Sequence, residues 1–176
     1  MELKILNLIQ TIRTPIGDDV MCFITKLGNG GVIWILLTVV LFLIPKTRKT
    51  GMVMMAALVL DVILCNGILK HIFARMRPCD VNTTVQLLIP RPHDYSFPSG
   101  HTAASFAAVG AIFFAGETKL WKPALVLAIL IAFSRLYLYV HYPTDILGGI
   151  LVGTACGCAG MLCVEQMQKK RKKQIT

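Results

Sequence analysis

The chain has 176 residues, of which 55% are hydrophobic and only 15% are charged. It is too apolar for a soluble domain and too short for two domains, so we expect a single integral membrane domain over residues 1–176. The formal net charge is +9, but the basic residues form short clusters between apolar runs, without interleaved aromatic side chains. This pattern is typical of membrane topology signals and argues against a nucleic-acid partner.

The segment 1–27 has the periodicity of an amphipathic helix. Between Leu3 and Ile12, apolar residues alternate at helical spacing with polar ones, and Pro15 and Gly17 then interrupt the pattern. We expect this segment to form an interfacial helix on the membrane surface. The alternative is a sixth, weakly hydrophobic span, which would place the N-terminus on the cytoplasmic side.

Five apolar runs of near-spanning length follow, each close to the ~20 residues that a bilayer requires. They are Leu27–Ile44, Gly51–Leu69, Pro98–Ala115, Leu120–Val140 and Ile146–Val164. The predicted fold is therefore all-α, a bundle of about five transmembrane helices within residues 28–165. A basic cytoplasmic tail follows at 166–176.

Basic clusters follow the first, third and fifth of these runs. They are 46–49, Lys119 with Lys122, and 169–173. All three can lie on one side of the membrane, and the positive-inside rule makes that side cytoplasmic. The connections at 70–97 and 139–145 then face outward.

Gly149, Gly153 and Gly157 are spaced four residues apart in the last run. Because glycine has no side chain, this pattern lets two helices approach closely. We expect the glycines to pack against another helix of the same chain, and the alternative is a homodimer face.

A first polar segment contains Lys70, Arg77 and Pro78. Lys70 and Arg77 are seven residues apart, so they lie on one face of the second helix if that helix continues to Arg77. Both could then reach one anion. The alternative is that they are anchors at a helix end, with charged groups reaching to the membrane surface.

A second segment, Pro98-Ser99-Gly100-His101, precedes the third apolar run. Ser99 is placed like an N-cap, Gly100 leaves the backbone open, and free N–H groups at a helix start bind phosphate readily. His101 could exchange a proton near neutral pH. The alternative is a capped helix with an incidental histidine.

A third segment contains Ser134, Arg135, His141 and Asp145 at a membrane boundary. Pro143 suits the first turn of the last helix, which places Asp145 just inside that turn. A carboxylate bonded to one imidazole nitrogen fixes the tautomer and leaves the other nitrogen free to attack an electrophile.

Together the three segments have the spacing K-x6-RP, PSGH and SR-x5-H-x3-D. The sequence therefore resembles the type 2 phosphatidic acid phosphatase family, over roughly residues 51–157. Every position of the pattern is matched: Lys70, Arg77, Pro78, Pro98, Ser99, Gly100, His101, Ser134, Arg135, His141 and Asp145.

The resemblance implies a catalytic set of His141, His101 and Asp145. His141 would attack phosphorus while Asp145 orients it, and His101 would protonate the departing oxygen and then activate water. The residues implied to bind the phosphoryl oxygens are Lys70, Arg77, Ser99, Gly100 and Arg135. Because three of these are fixed cations, we expect catalysis without a metal ion or other cofactor.

A phosphate site between transmembrane helices suits a lipid whose tail stays in the bilayer. Small bacterial proteins that this chain resembles act on undecaprenyl diphosphate, phosphatidylglycerophosphate or phosphatidic acid. We favour undecaprenyl diphosphate, hydrolysed through a phosphohistidine at the outer face of the bacterial cytoplasmic membrane. The alternatives are a lipid-to-lipid phosphotransferase and a non-enzymatic lipid-binding or transport protein.

Four further polar residues lie near these segments. Asp61 is mid-span, nine residues before Lys70, and we expect it to make a structural hydrogen bond to a neighbouring helix. Arg91, His93 and Asp94 are expected to belong to an ordinary solvated loop, with contact to a substrate head group as the alternative.

Overall fold

The computed structural model describes residues 1–174, without the side chain of Lys172. All regular secondary structure in this part of the chain is helical. The helices are α1 (Glu2–Thr11), α2 (Pro15–Gly28), α3 (Val32–Leu43), α4 (Arg48–Asp61), α5 (Lys70–Phe73), α6 (Pro78–Val81), α7 (Gly100–Phe114), α8 (Trp121–Tyr137) and α9 (Pro143–Lys173). A 3₁₀ turn at Asn29–Gly31 joins α2 to α3, and a π-helix at Val62–Leu69 joins α4 to α5.

The first part of the chain forms two helices, so the expected interfacial segment does not reach residue 27. The Thr14 hydroxyl accepts a hydrogen bond from the Gly17 N–H (3.1 Å), and Pro15 occupies the first turn. Both residues therefore start α2 instead of ending a helix. The stretch Pro15–Leu43 has 29 residues and is apolar enough to cross a membrane, which leaves α1 as the amphipathic helix of the prediction.

Three stretches of the described residues are long and apolar enough to span a bilayer. They are Pro15–Leu43, Arg48–Val81 and Pro143–Arg171. Helix α7 is apolar but shorter, and α8 has 17 residues. Exposed apolar side chains such as Leu36, Val59 and Leu151 cover the outer surface of the bundle. The chain is an all-helical membrane protein, and five spans remain a prediction.

Helix α7 packs against α4, α8 and α9 and holds much of the buried core. Its contact with α9 is close because α9 presents glycines. A Cβ atom on Gly149 would lie 2.8 Å from the Ser99 carbonyl oxygen, and one on Gly157 would lie 2.8 Å from the Ala111 nitrogen. Gly153 also lies against the α7 backbone. These glycines pack within the chain, as expected, and α7 covers the face that a homodimer would have used.

The basic clusters and the polar segments lie at opposite ends of the bundle. Thr50 at the start of α4 donates to Glu117 in the turn after α7 (3.2 Å), and the C-terminal part of α9 lines a cavity with α4. The three basic clusters therefore lie at one end, and the three polar segments lie at the other. Helix α9 continues through the predicted tail to Lys173, and residues 175–176 of that tail lie outside the described residues.

Helix α1 packs on the polar end. Leu6 is fully buried there, and Gln10 donates to the Tyr137 carbonyl oxygen (2.9 Å). The Tyr139 hydroxyl donates to Asn7 (2.7 Å). These bonds attach α1 to the connection between α8 and α9, which carries one of the predicted catalytic histidines.

Candidate active site

Lys70 and Arg77 meet, although one helix does not carry both. Helix α5 ends at Phe73, and Ala74 adopts the left-handed conformation with φ of 42°. The condition for one helix to carry both residues, that the second helix continues to Arg77, is therefore not met. The turn at Ala74 brings Arg77 back to the site, and both cationic side chains are buried.

Asp94 joins these two cations. Its Oδ1 accepts a hydrogen bond from Arg77 Nη2 (2.7 Å), and its Oδ2 pairs with Lys70 Nζ. The main-chain carbonyl of Asp94 also accepts from Arg77 Nε (2.8 Å). The loop is solvated at Asp94, as expected, but the Asp94 carboxylate also pairs with two buried cations, which was not expected.

His141 lies between Arg77 and Asp145. Arg77 Nη1 is 3.0 Å from His141 Nε2, and His141 Nδ1 is 3.4 Å from Asp145 Oδ2. With its proton on Nδ1, facing the carboxylate, the ring carries a lone pair on Nε2 that accepts from the guanidinium. An unprotonated imidazole nitrogen therefore points toward a cation that can hold a phosphoryl oxygen.

Asp145 is completely buried in the first turn of α9, where Pro143 was predicted to place it. Its Oδ2 accepts from the Ser96 hydroxyl and from the Tyr142 N–H (2.8 Å), and its Oδ1 pairs with Arg75 Nη1 (2.6 Å). A buried carboxylate is costly without such partners. These bonds fix the group that orients His141.

Arg75 connects Asp145 to the N-terminal helix. Its Nη2 pairs with Glu2 Oε2 (2.6 Å), and the other oxygen of Glu2 accepts from the hydroxyl of Thr144 (2.7 Å). The first turns of α1 and α9 are thus joined beside the site. No sequence pattern predicted this connection.

Ser99, Gly100 and His101 form the start of α7. Ser99 occupies the N-cap position, but its side chain makes no capping bond and instead accepts from the Thr102 hydroxyl (3.0 Å). A Cβ atom on Gly100 would lie 2.9 Å from the side-chain amide oxygen of Asn66 in the π-helix, so a larger residue would require that side chain to shift. His101 Nε2 is 2.9 Å from Asn29 Oδ1.

Arg135 is the third predicted cation of the site. Its side chain is buried, and its Nη1 donates to the Thr25 hydroxyl. Its Nε has no hydrogen-bond partner among residues 1–174. The guanidinium therefore keeps a donor for a ligand.

Burial and the neighbouring cations shift the pKa values of His141 and Asp94. Burial lowers the pKa of His141 well below its usual value, and the charges of three cations lower it further. They are Arg77, Arg135 and Lys70. Partial burial would raise the pKa of the Asp94 carboxyl, but bonds and charges from Lys70 and Arg77 outweigh it and hold that pKa well below its usual range. His141 is neutral and Asp94 is an anion near neutral pH.

A cavity of about 300 Å³ begins at the site and extends into the bundle. Lys70 and His101 line its polar part, and Ile35 and Leu58 line its apolar part. Asp61 also lines it, is 1% exposed, and has no hydrogen-bond partner for its Oδ1 among the described residues. The expected structural bond to a neighbouring helix is absent at this oxygen.

The structure brings all eight predicted site residues to one end of the bundle. Contacts run from Lys70 through Asp94 to Arg77, then to His141 and Asp145, whose carbonyl oxygen accepts from the Ser99 N–H (3.1 Å). Several side chains that bond to the predicted site residues were not predicted from the sequence. They are Thr25, Asn29, Arg75 and Ser96, together with the pairing of Asp94.

The sequence matches the PAP2 superfamily over residues 50–169. Undecaprenyl-diphosphatase BcrC of Bacillus subtilis is 34% identical over 144 residues, which covers 80% of this chain and 71% of that protein. The family match over residues 50–169 contains all three polar segments of the site.

Two crystal structures are similar to this one. LpxE of Aquifex aeolicus has a TM-score of 0.80 and 30% identity, covering 91% of this chain and 94% of that one. The transmembrane PAP2 type phosphatidylglycerolphosphate phosphatase of Bacillus subtilis has a TM-score of 0.73 and 28% identity, covering 95% and 84%. The similarity therefore extends over nearly the whole bundle.

Proposed function

This chain belongs to the PAP2 superfamily and is a lipid phosphatase of PAP2 type, and we propose that it cleaves its substrate through a phosphohistidine at His141. The observation that carries the proposal is the position of His141 Nε2, 3.0 Å from Arg77 Nη1, with Nδ1 facing Asp145. A nucleophile held by an orienting carboxylate and directed at an anion-binding cation is what phosphoryl transfer requires.

In the first step a phosphoryl oxygen replaces His141 Nε2 as the acceptor from Arg77 Nη1, so the Nε2 lone pair is free. That nitrogen then attacks phosphorus, and the bond from phosphorus to the lipid oxygen breaks. His101 donates a proton to that oxygen, so the lipid leaves as a neutral hydroxyl or, from a diphosphate, as a lipid monophosphate. Asp145 stabilises the positive charge that develops on the His141 ring.

In the second step water attacks the phosphorus of phosphohistidine. His101 accepts a proton from the water, the P–N bond breaks, and neutral His141 is restored as inorganic phosphate leaves. The burial and cations that lower the pKa of His141 keep it in the attacking form at the start of each cycle.

The phosphoryl oxygens are held by Lys70, Arg77 and Arg135, with the Ser99 hydroxyl and the Gly100 N–H. The free Nε of Arg135 supports this assignment, because it supplies a donor that no described residue uses. Cations fixed before the reaction stabilise charge in the transition state without reorganising. We therefore propose catalysis that is independent of metal ions.

Among lipid phosphates we favour undecaprenyl diphosphate, hydrolysed at the outer face of the cytoplasmic membrane. The similarity to BcrC supports the substrate, and the cavity that passes from polar to apolar residues supports a ligand with a charged head and a long tail. The basic clusters at the opposite end of the bundle support the orientation.

The test is phosphate release by purified protein in detergent. The substrates are undecaprenyl diphosphate, phosphatidylglycerophosphate, phosphatidic acid and a soluble ester, each with the wild type and His141→Ala. We expect the highest kcat/KM on undecaprenyl diphosphate, no turnover by His141→Ala, and unchanged rates in EDTA. Preference for the soluble ester would overturn the lipid assignment, and loss of activity in EDTA would overturn metal independence.

A further inference from the structure

Asp94 is an exposed residue bound to buried partners. It lies in the loop between α6 and α7, and its side chain is 53% exposed, whereas those of Lys70 and Arg77 are 8% and 3% exposed. The carboxylate thus enters from the solvent side onto two cations assigned to the phosphoryl group. A ligand that uses the same donors of Lys70 and Arg77 would have to displace the carboxylate.

The contacts of Asp94 resemble those of a phosphoryl group. One carboxylate oxygen is 2.7 Å from Arg77 Nη2, and the other is paired with Lys70 Nζ. Two oxygens on two cations is the arrangement by which a phosphoryl group is also bound. Because a cation has few free donors, carboxylate and phosphoryl oxygens compete for them.

Arg135, the third cation, can bind a phosphoryl group but is not bound by the Asp94 carboxylate. Arg135 has a buried Nε without a partner among the described residues, and Asp94 makes no bond to it. A carboxylate has two oxygens, whereas a terminal phosphoryl group has three that are not bridging. A phosphoryl group can therefore bond all three cations, which favours exchange of Asp94 for substrate.

We propose that Asp94 is an internal competitor that sets the affinity of the site for phosphoryl groups. The inference rests on the proposed function, in which Lys70 and Arg77 bind the phosphoryl oxygens. Each phosphate ligand must displace the Asp94 carboxylate, so each loses the same factor in affinity. The same competition weakens binding of inorganic phosphate after hydrolysis and so promotes its release.

The test compares wild type, Asp94→Asn and Asp80→Asn in detergent. Asp80 is the matched control, because it lies in α6 and its carboxylate pairs with Arg91 instead of Lys70 or Arg77. The measurements are KM and kcat for p-nitrophenyl phosphate and the inhibition constant of inorganic phosphate.

We expect Asp94→Asn to lower KM and the inhibition constant by the same factor, about tenfold, because the neutral amide competes less well than a carboxylate. Asp80→Asn should change both by less than twofold. If Asp94 instead positions the cations, kcat will fall and both constants will rise or stay unchanged, and the inference is overturned.

Failure of the proposed function gives a different result. If the wild type hydrolyses no phosphate ester, the proposed function fails. The inference about Asp94 is then tested separately, by calorimetric measurement of the affinity for inorganic phosphate. Tighter binding by Asp94→Asn than by wild type supports it, and equal or weaker binding overturns it.

A measurement on the wild type decides the inference if the variant does not fold. Saturating inorganic phosphate should increase amide hydrogen exchange in residues 93–96, because displacement of Asp94 frees that segment. Unchanged or slower exchange there would overturn the inference.

Discussion

Helices α7 and α9 contact each other in two different ways along their length. In the middle, glycines of α9 lie against the α7 backbone, as at Gly153 and Gly157. At the polar end the helix starts are joined by a backbone hydrogen bond from Ser99 to Asp145 (3.1 Å). The close contact therefore positions the first turns, which carry His101 and Asp145, two of the three residues in the proposed catalytic set.

The polar end and the glycine interface also respond differently to change. A charged group at the polar end acts through its partners and the protonation of its neighbours, so its loss should reduce turnover. A glycine in the interface lets the two helices approach because it has no side chain. Replacing it with a larger residue should therefore reduce stability. The predictions below test this division, in order of expected effect.

Asp145→Asn should reduce kcat by about 10³-fold or more, because the amide can favour the wrong His141 tautomer. The measurement is kcat on a lipid phosphate, with Asp80→Asn as the control for loss of a paired carboxylate. A kcat within tenfold of wild type would contradict the orienting role of Asp145.

Gly153→Leu should lower the free energy of unfolding by about 3 kcal/mol, because the leucine side chain would clash with the backbone of α7. Ala155→Leu is the matched control, since Ala155 is exposed on another face of α9. The measurement is denaturant unfolding in detergent. Equal stability of the two variants would contradict close packing at Gly153.

Arg75→Gln should reduce kcat about tenfold through loss of its charged hydrogen bond to Asp145. KM should not change, because Arg75 bonds to the orienting carboxylate and not to the phosphoryl group in our assignment. Steady-state kinetics separate the two constants. A rise in KM with unchanged kcat would instead indicate that Arg75 binds substrate.

Asp61→Leu should raise the free energy of unfolding by about 1 kcal/mol, because it removes a buried oxygen that has no hydrogen-bond partner within residues 1–174. Asp61→Asn, which keeps a polar group, should gain less. Thermal unfolding of the three proteins checks the order. Lower stability of Asp61→Leu would show that the carboxyl has a stabilising partner.

The residues of the site could be predicted from sequence because the three segments keep fixed spacings. His141 and Asp145 are four residues apart around Pro143, so local geometry already brings them together. Their convergence with Lys70 and Arg77 followed from the resemblance to a known family. The glycine spacing in α9 likewise predicted a close helix contact.

The remaining features depend on backbone turns and on partners distant in sequence. The left-handed turn at Ala74 carries no glycine or asparagine signal, so the sequence does not predict that the helix ends before Arg77. Asp94 finds Lys70 and Arg77 only after the loop folds back. Arg75 meets Glu2 across 73 residues, and no local pattern encodes such a pair.

The start of α2 shows how one local signal can be interpreted in two ways. Pro15 was read as an interruption, although proline is also favoured in the first turn of a helix. The Thr14 hydroxyl, which bonds to the Gly17 N–H, decides in favour of a new helix. Thr25, on the resulting helix, then reaches Arg135 in the site.

The most direct test of the account is to trap the covalent intermediate. Wild type is mixed with lipid phosphate labelled with ³²P at the terminal phosphorus, quenched in alkali within the first turnover, and digested for mass spectrometry. We expect the label on the peptide that contains His141, and no label in His141→Ala. Turnover without a labelled protein, or a label on another residue, would contradict nucleophilic attack by His141.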